Sequence, residues 1–212
     1  MRHGIIFEHL TNLFKNSIMK DINEVRNRII EAAEKHFSLL GFEKTTLDDI
    51  TGTDGKSKTS IYYHFKNKHD IFKSVIEKEF SEVRADLQKV IDAESTDRVA
   101  CMKDYLRTRL ESLQRQGAFS RFASSRFAYG DNPISKVINE ARSQFDNWER
   151  KFFEMSIETG RKDGEVPASV SPQVFSSTVV NMLKALEIQF FSAEDKTNVN
   201  DTYMGMIDLI IR

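Results

Sequence analysis

Residues Thr46 to Phe65 read T-L-D-D-I-T-G-T-D-G-K-S-K-T-S-I-Y-Y-H-F, and the fold of the chain turns on this stretch. Thr46 with Asp49 three residues on is a capping box, so a short helix opens there, carries Leu47 and Ile50 inward, and runs out near Asp54-Gly55. Ser57 then caps a second short helix through Lys58, Thr59, Ser60, Ile61, Tyr62, Tyr63 and His64. Two short helices joined by a tight glycine turn are the grammar of a helix-turn-helix, whose second helix enters the major groove of DNA. The charge agrees with this. Between Lys56 and Lys68 stand four lysines, at 56, 58, 66 and 68, and no acidic residue. A local basic patch is enough for phosphate contact, although the whole chain balances 31 basic against 32 acidic residues.

Within the stretch, side-chain chemistry divides the candidate DNA contacts. Thr59 and Ser60 are small enough to let the helix sit deep and touch base edges or a thymine methyl, and Lys58 reaches guanine O6 and N7. Tyr63, His64 and Lys68 point toward the strands and supply phosphate contacts that fix register. Thr46, Lys56, Ser57 and Tyr62 complete the candidate set. A competing reading makes Tyr62, Tyr63 and Phe65 plain core aromatics beneath a solvated lysine face. Ile61 and Phe65 have the spacing of core residues on either reading.

Working outward, Asp21 with Glu24 predicts the N-cap of a helix whose stripe is Val25, Ile29, Ala32, Ala33, Phe37 and Leu40, with Gly41 as its stop. Before it, Ile6, Leu10, Leu13, Phe14 and Ile18 suggest a separate amphipathic helix or a frayed extension. Asn67 and Asp70 cap a fourth helix with Ile71, Phe72, Val75, Ile76, Phe80, Val83, Leu87 and Ile91 on one face. A fifth is expected from about Asp97 to Gln116, ended by Gly117, and a short sixth holds Phe119, Phe122, Ala123 and Phe127. Asn132-Pro133 opens a seventh. After a loop from Gly160 to Ser171, an eighth helix runs to about Phe191, and a ninth spans about Val199 to Ile211. With no sustained alternation of apolar and polar residues, the chain is expected to be all-α.

These motifs resemble the TetR family of transcriptional regulators. Gly41-Phe42, Thr45-Thr46, Asp49-Ile50, Gly55-Lys56-Ser57-Lys58, Tyr62-Tyr63-His64-Phe65 and Lys68 follow the family pattern in order. Thr51 and Asp54 depart from its usual alanines, and Lys56 replaces a small aliphatic of the turn, either as an added phosphate contact or as a local weak point. The resemblance implies an N-terminal three-helix DNA-binding domain and a C-terminal helical bundle for effector binding and dimerisation. Residues 1–20 are then an extension, 21–68 the DNA-binding domain, and 69–212 the connecting helix and C-terminal domain. It also implies a homodimeric, effector-responsive repressor on a palindromic double-stranded operator.

For the C-terminal part, Phe119, Phe122, Phe127, Trp148, Phe152 and Phe175 are candidate linings of an apolar site for an unknown small molecule; packed core is the alternative. Phe175, Val179, Met182, Leu183, Leu186 and Phe190, with Met204, Ile207 and Ile211, carry more apolar positions than one stripe requires and are candidates for a dimer interface.

Other classes fare poorly. The sequence has no H-E-x-x-H, no G-x-S-x-G, no phosphate-cradling glycine loop and no cysteine cluster, so no enzyme, cofactor or metal is expected. The five histidines, at 3, 9, 36, 64 and 69, form no ligand set, and His36 is read as a packing residue. Cys101 is the only cysteine and is expected to be buried. With no apolar run of membrane length and no signal peptide, a cytoplasmic location is expected. Two alternatives remain: an architectural DNA-binding protein without an effector, and a helical small-molecule carrier with vestigial DNA-binding helices.

Overall fold

The computed structural model describes the backbone of residues 2–54, 58–93, 98–123, 131–192 and 201–205. Eight helices are assigned, and among the described residues there is no strand: α1 (Arg2–Leu40), α2 (Leu47–Asp54), α3 (Lys58–His64), α4 (Lys68–Ile91), α5 (Arg98–Arg115), α6 (Gly117–Ala123), α7 (Pro133–Lys162) and α8 (Pro172–Ser192). A helical turn covers 201–205; the remainder of the expected ninth helix, with Ile207 and Ile211, lies outside the described residues.

Helix α1 ends where glycine allows it to. Gly41 has φ +80, a left-handed conformation that a Cβ would strain, and its N–H donates to Phe37 O at 2.9 Å. Asp21, expected as an N-cap, lies inside α1, which runs unbroken from residue 2. Helical backbone on its N-terminal side leaves the position no orphan N–H groups to cap. The expected boundary at residue 20 is therefore not a break in secondary structure.

The other punctuation follows side-chain chemistry. Asn67 is extended and its side chain accepts from Asp70 N, while Lys66 N donates back to Asp70 Oδ2 at 3.2 Å. Asn132 accepts from Ser135 N, with Pro133 at the first helical position of α7. Gly117 differs from expectation: the helix breaks at Gln116, and Gly117 opens α6. Its bare Cα is required by packing, because a Cβ there would come within 2.7 Å of Ser38 Cβ on α1. Helix α7 likewise runs two residues past Gly160 before Gly164, at φ +78, turns the chain.

The core is continuous from the N-terminal helices into the bundle. Ile29, Ala33, Phe37, Ile50, Ile61 and Phe65 bury the α1–α3 faces, and α4 adds Ile71, Phe72, Val75, Ile76, Phe80, Val83 and Leu87. One α4 side chain is out of character: Glu79 is 1% exposed and accepts from Ala118 N at 2.7 Å and Phe119 N at 2.8 Å. Its carboxylate thereby satisfies the orphan N–H groups at the start of α6. Burial pushes this carboxyl up to about 7 against those two hydrogen bonds, which favour the charged form. Helix α6 is thus held from α1 by close packing and from α4 by a buried acceptor.

The centre of the C-terminal bundle is ionic. Arg109 of α5 is fully buried and grips Glu149 of α7 with Nε at 2.6 Å and Nη2 at 3.0 Å, while its Nη1 lies against Glu187 of α8. Arg142 binds Glu187 through both terminal nitrogens and Asp146 through Nε at 3.1 Å; Lys184 closes on Asp146 at 2.7 Å. Tyr105 donates to Glu149 at 2.9 Å. Three cations meet three carboxylates, so the buried charge balances. Burial disfavours the Arg109 charge, but Glu149 and Glu187 override it and hold the guanidinium well above its usual range.

Candidate nucleic-acid interface

Helix α3 owes its position to two side chains. Ile61 is 1% exposed and Phe65, just past the helix end, 4%, and both point into the α1–α4 core. Arg26 of α1 lies 4.9 Å over the Phe65 ring and donates to Ser74 Oγ at 2.8 Å, fixing α3 between α1 and α4. Anchored on that side, α3 presents the opposite face to solvent. Lys58 and Thr59 are exposed, Ser60 is half-buried, and Tyr62 and Tyr63 are 57% and 73% exposed. The choice between core aromatics and surface aromatics is thereby made: Phe65 is core, and the two tyrosines are not. Tyr63 packs edge-on against His64 at 5.0 Å, holding the half-buried imidazole beside the exposed phenol.

Helix α2 supports this face. Thr46 N and Oγ1 both donate to Asp49 Oδ2 at 2.7 Å, and Asp49 N donates back to Thr46 Oγ1 at 3.2 Å. Those bonds hold the Asp49 carboxyl below its usual range. Thr46 is thus committed to capping α2, with its hydroxyl engaged within the box. Thr51 is buried, and its hydroxyl is satisfied by Asp48 O at 3.0 Å, so this departure from the family pattern is accommodated. Asp48 itself was missed as a functional candidate. Its carboxylate meets Lys58 Nζ at 2.8 Å across the gap between α2 and α3, raising the lysine above its usual range. Lys56 and Ser57 lie outside the described residues.

Lys68 has a different task from the phosphate contact expected. Its ammonium donates to Phe42 O at 2.8 Å and Thr45 O at 3.0 Å, with Glu43 O at 3.5 Å, and sits 4.3 Å over the Phe42 ring. An ammonium has three donors, and here they face the carbonyls of the α1–α2 turn. Partial burial lowers its pKa. The lysine staples the start of α4 to that turn, which accounts for its place three residues after Phe65.

The candidate effector residues do not ring one cavity. Phe119 is buried, 5.1 Å from Phe80 and 5.6 Å from Phe191; Trp148 packs on Phe145 at 5.9 Å under Arg84; Phe152 stacks on Tyr105 at 4.8 Å; Phe175 packs against the core. Aromatic spacing here is core packing around the ionic centre. Phe152 also borders a cleft of about 380 Å³ with Met102, Met155 and half-buried Cys101, and Phe122 borders one of about 170 Å³. Phe127 lies outside the described residues. On α8, Leu183 and Phe190 are buried within the protomer and cannot form a subunit interface. Phe175, Val179, Leu186 and Met204 are half-buried, and Met182 is 39% exposed.

Comparison with known proteins agrees with this geometry. Residues 29–75 match the model of the bacterial regulatory proteins of the tetR family, a segment that begins in α1, contains α2 and α3, and reaches α4. That segment is a TetR-family DNA-binding domain. The transcriptional repressor DhaR of a Mycobacterium species is 24% identical over 74% of this chain and 77% of its own length. The regulator TtgR of Pseudomonas putida is 33% identical, but over 41% of each protein. A crystal structure of a TetR-family regulator from Pectobacterium atrosepticum superposes with a TM-score of 0.72 at 21% identity, over 91% of this chain and 95% of that one, and so shares the fold beyond the DNA-binding domain. The chain is thus similar to helix-turn-helix transcriptional regulators of the TetR family, in sequence over residues 29–75 and in fold over most of its length. No helix among the described residues is long and apolar enough to cross a membrane.

Proposed function

We propose that this chain is a cytoplasmic repressor that binds a palindromic operator as a homodimer and releases it when a small molecule binds the C-terminal domain. The observation that carries the reading is α3 itself: Ile61 and Phe65 anchor one side while Lys58, Thr59, Tyr62 and Tyr63 stand exposed on the other. Thr59, Ser60 and Lys58 address base edges, Lys58 exchanging Asp48 for a guanine, while Tyr62, Tyr63 and His64 hold the strands. In the dimer the two α3 helices sit in successive major grooves about 34 Å apart.

Helix α4 begins three residues after Phe65, and its Glu79 grips α6, so it connects the reading head to the bundle. An effector acts by binding unequally to conformers that differ in α3 spacing. Val174 and Met182, exposed on α8 beside half-buried Phe175, Val179 and Leu186, support a subunit contact there. The test is sedimentation of wild type and Met182→Glu, alone and with operator DNA. The reading expects a wild-type dimer and a folded, monomeric variant whose DNA affinity drops by about tenfold or more, because each monomer holds one half-site. A wild-type monomer that binds operator as tightly as before would overturn it.

A further inference from the structure

The end of α1, the turn after it and α6, with Phe72 of α4 and Ile134 of α7, line a half-open cavity of about 170 Å³ at the junction between the DNA-binding domain and the bundle. Its walls are apolar: Leu40, Phe42, Phe72, Ala118, Phe122 and Ile134. At its mouth lies Arg121 of α6, whose stem and Nε come within 3.8 Å of where a Gly41 side chain would start. Gly41 therefore leaves the space over which the guanidinium extends. Arg121 is exposed and makes no ion pair or hydrogen bond among the described residues. Lys44 adds a second cation to the rim, while Glu43, the one carboxylate among the described lining residues, faces the Lys68 ammonium.

An apolar chamber with an unspent planar cation at its opening fits one kind of occupant. We propose that this cavity binds a small carboxylic acid with a compact apolar body, its carboxylate on Arg121 and its body against Phe42, Phe72 and Phe122. Size agrees, since an apolar cavity of roughly 150 Å³ accepts a benzene ring. The guanidinium fork matches a carboxylate in shape as well as charge. This site is separate from the Met102–Phe152–Met155 cleft of the bundle. Its occupant would touch both the turn after α1 and α6, the element that Glu79 holds to α4.

The probe is 4-fluorobenzoate, followed by fluorine NMR on the full-length protein, with wild type, Arg121→Gln and Arg121→Lys. Thermal unfolding confirms that each variant folds, and Arg121 is exposed enough that both are expected to. The proposal expects saturable binding to wild type, about tenfold weaker binding to Arg121→Gln, and an intermediate affinity for Arg121→Lys, which keeps the charge and loses the fork. Equal affinity in all three, or no saturation of wild type up to roughly 10 mM, overturns it. DNA retention by the same samples is measured alongside. A protein that retards DNA but ignores fluorobenzoate refutes the cavity alone, and one that binds fluorobenzoate without retarding DNA refutes the regulator reading alone.

Discussion

Lys68 stands in a run of lysines beside α3, yet its ammonium faces Phe42 O and Thr45 O and contributes to the fold. Replacing it with alanine strips donors from two turn carbonyls, at a cost of about 1–3 kcal/mol in stability. Urea unfolding of Lys68→Ala checks that figure. DNA titrations across salt concentrations check the complementary claim, that the slope of log K against log salt stays unchanged. A slope reduced by about one per protomer with unaltered stability would return Lys68 to the phosphates. The sequence showed the charge of this residue but not its direction, because a lysine stem can turn a terminal ammonium either way. Asp48 was hidden for a related reason: the capping box accounted for its neighbour Asp49, and only the packing of α2 against α3 brings Asp48 to Lys58.

Among the elements, α4 and α6 are coupled through Glu79. Its carboxyl titrates near 4.5 when unfolded and is raised to about 7 in the fold by burial. Between those values the native chain holds more proton than the unfolded one, so the contribution of Glu79 to stability falls as pH rises from about 4.5 to about 7. The full swing is of order 3 kcal/mol. Glu79→Gln removes the titration, so the stability of wild type relative to this variant should decline across that window in urea unfolding. A difference that is flat with pH would show that Glu79 keeps one protonation state throughout. Helix existence was legible here from periodicity and caps: Thr46, Asn67 and Asn132 each cap as their spacing implies. Asp21 had an equally good pattern, but helical backbone continues past it. Gly117 read as a stop, whereas close approach to Ser38 is what requires it. Neither fact is local to the sequence around the residue.

Across the whole molecule, the ionic centre decides what the C-terminal bundle is. Arg109 lies between Leu106 and Leu113 on the stripe of α5, Glu149 between Phe145 and Phe153 on α7, and Glu187 between Leu183 and Phe190 on α8. A charge at core spacing on each of three helices was the available signal, passed over because apolar residues make up most of the same stripes. Removing one partner of such a buried pair strands the other, so Glu149→Gln should lose about 3–5 kcal/mol. Arg109→Met with Glu149→Leu leaves Arg142, Lys184, Glu187 and Asp146 still balanced, and should be less destabilised than Glu149→Gln alone. Additive losses in urea unfolding would mean that the pair is not a unit. The network occupies the middle of the bundle, where Phe119 and Trp148 pack against neighbouring rings, while Phe122 and Phe152 border clefts at its edge.

The central claim is that the exposed face of α3 reads DNA sequence. Its most direct test is selection of bound fragments from a random double-stranded pool, with wild type and Thr59→Val in parallel. The account predicts an inverted repeat for wild type, and for the variant a consensus changed within each half-site but with the same spacing between half-sites, because Thr59 faces bases while dimer geometry sets the spacing. An identical consensus for both proteins, or none for wild type, would contradict it.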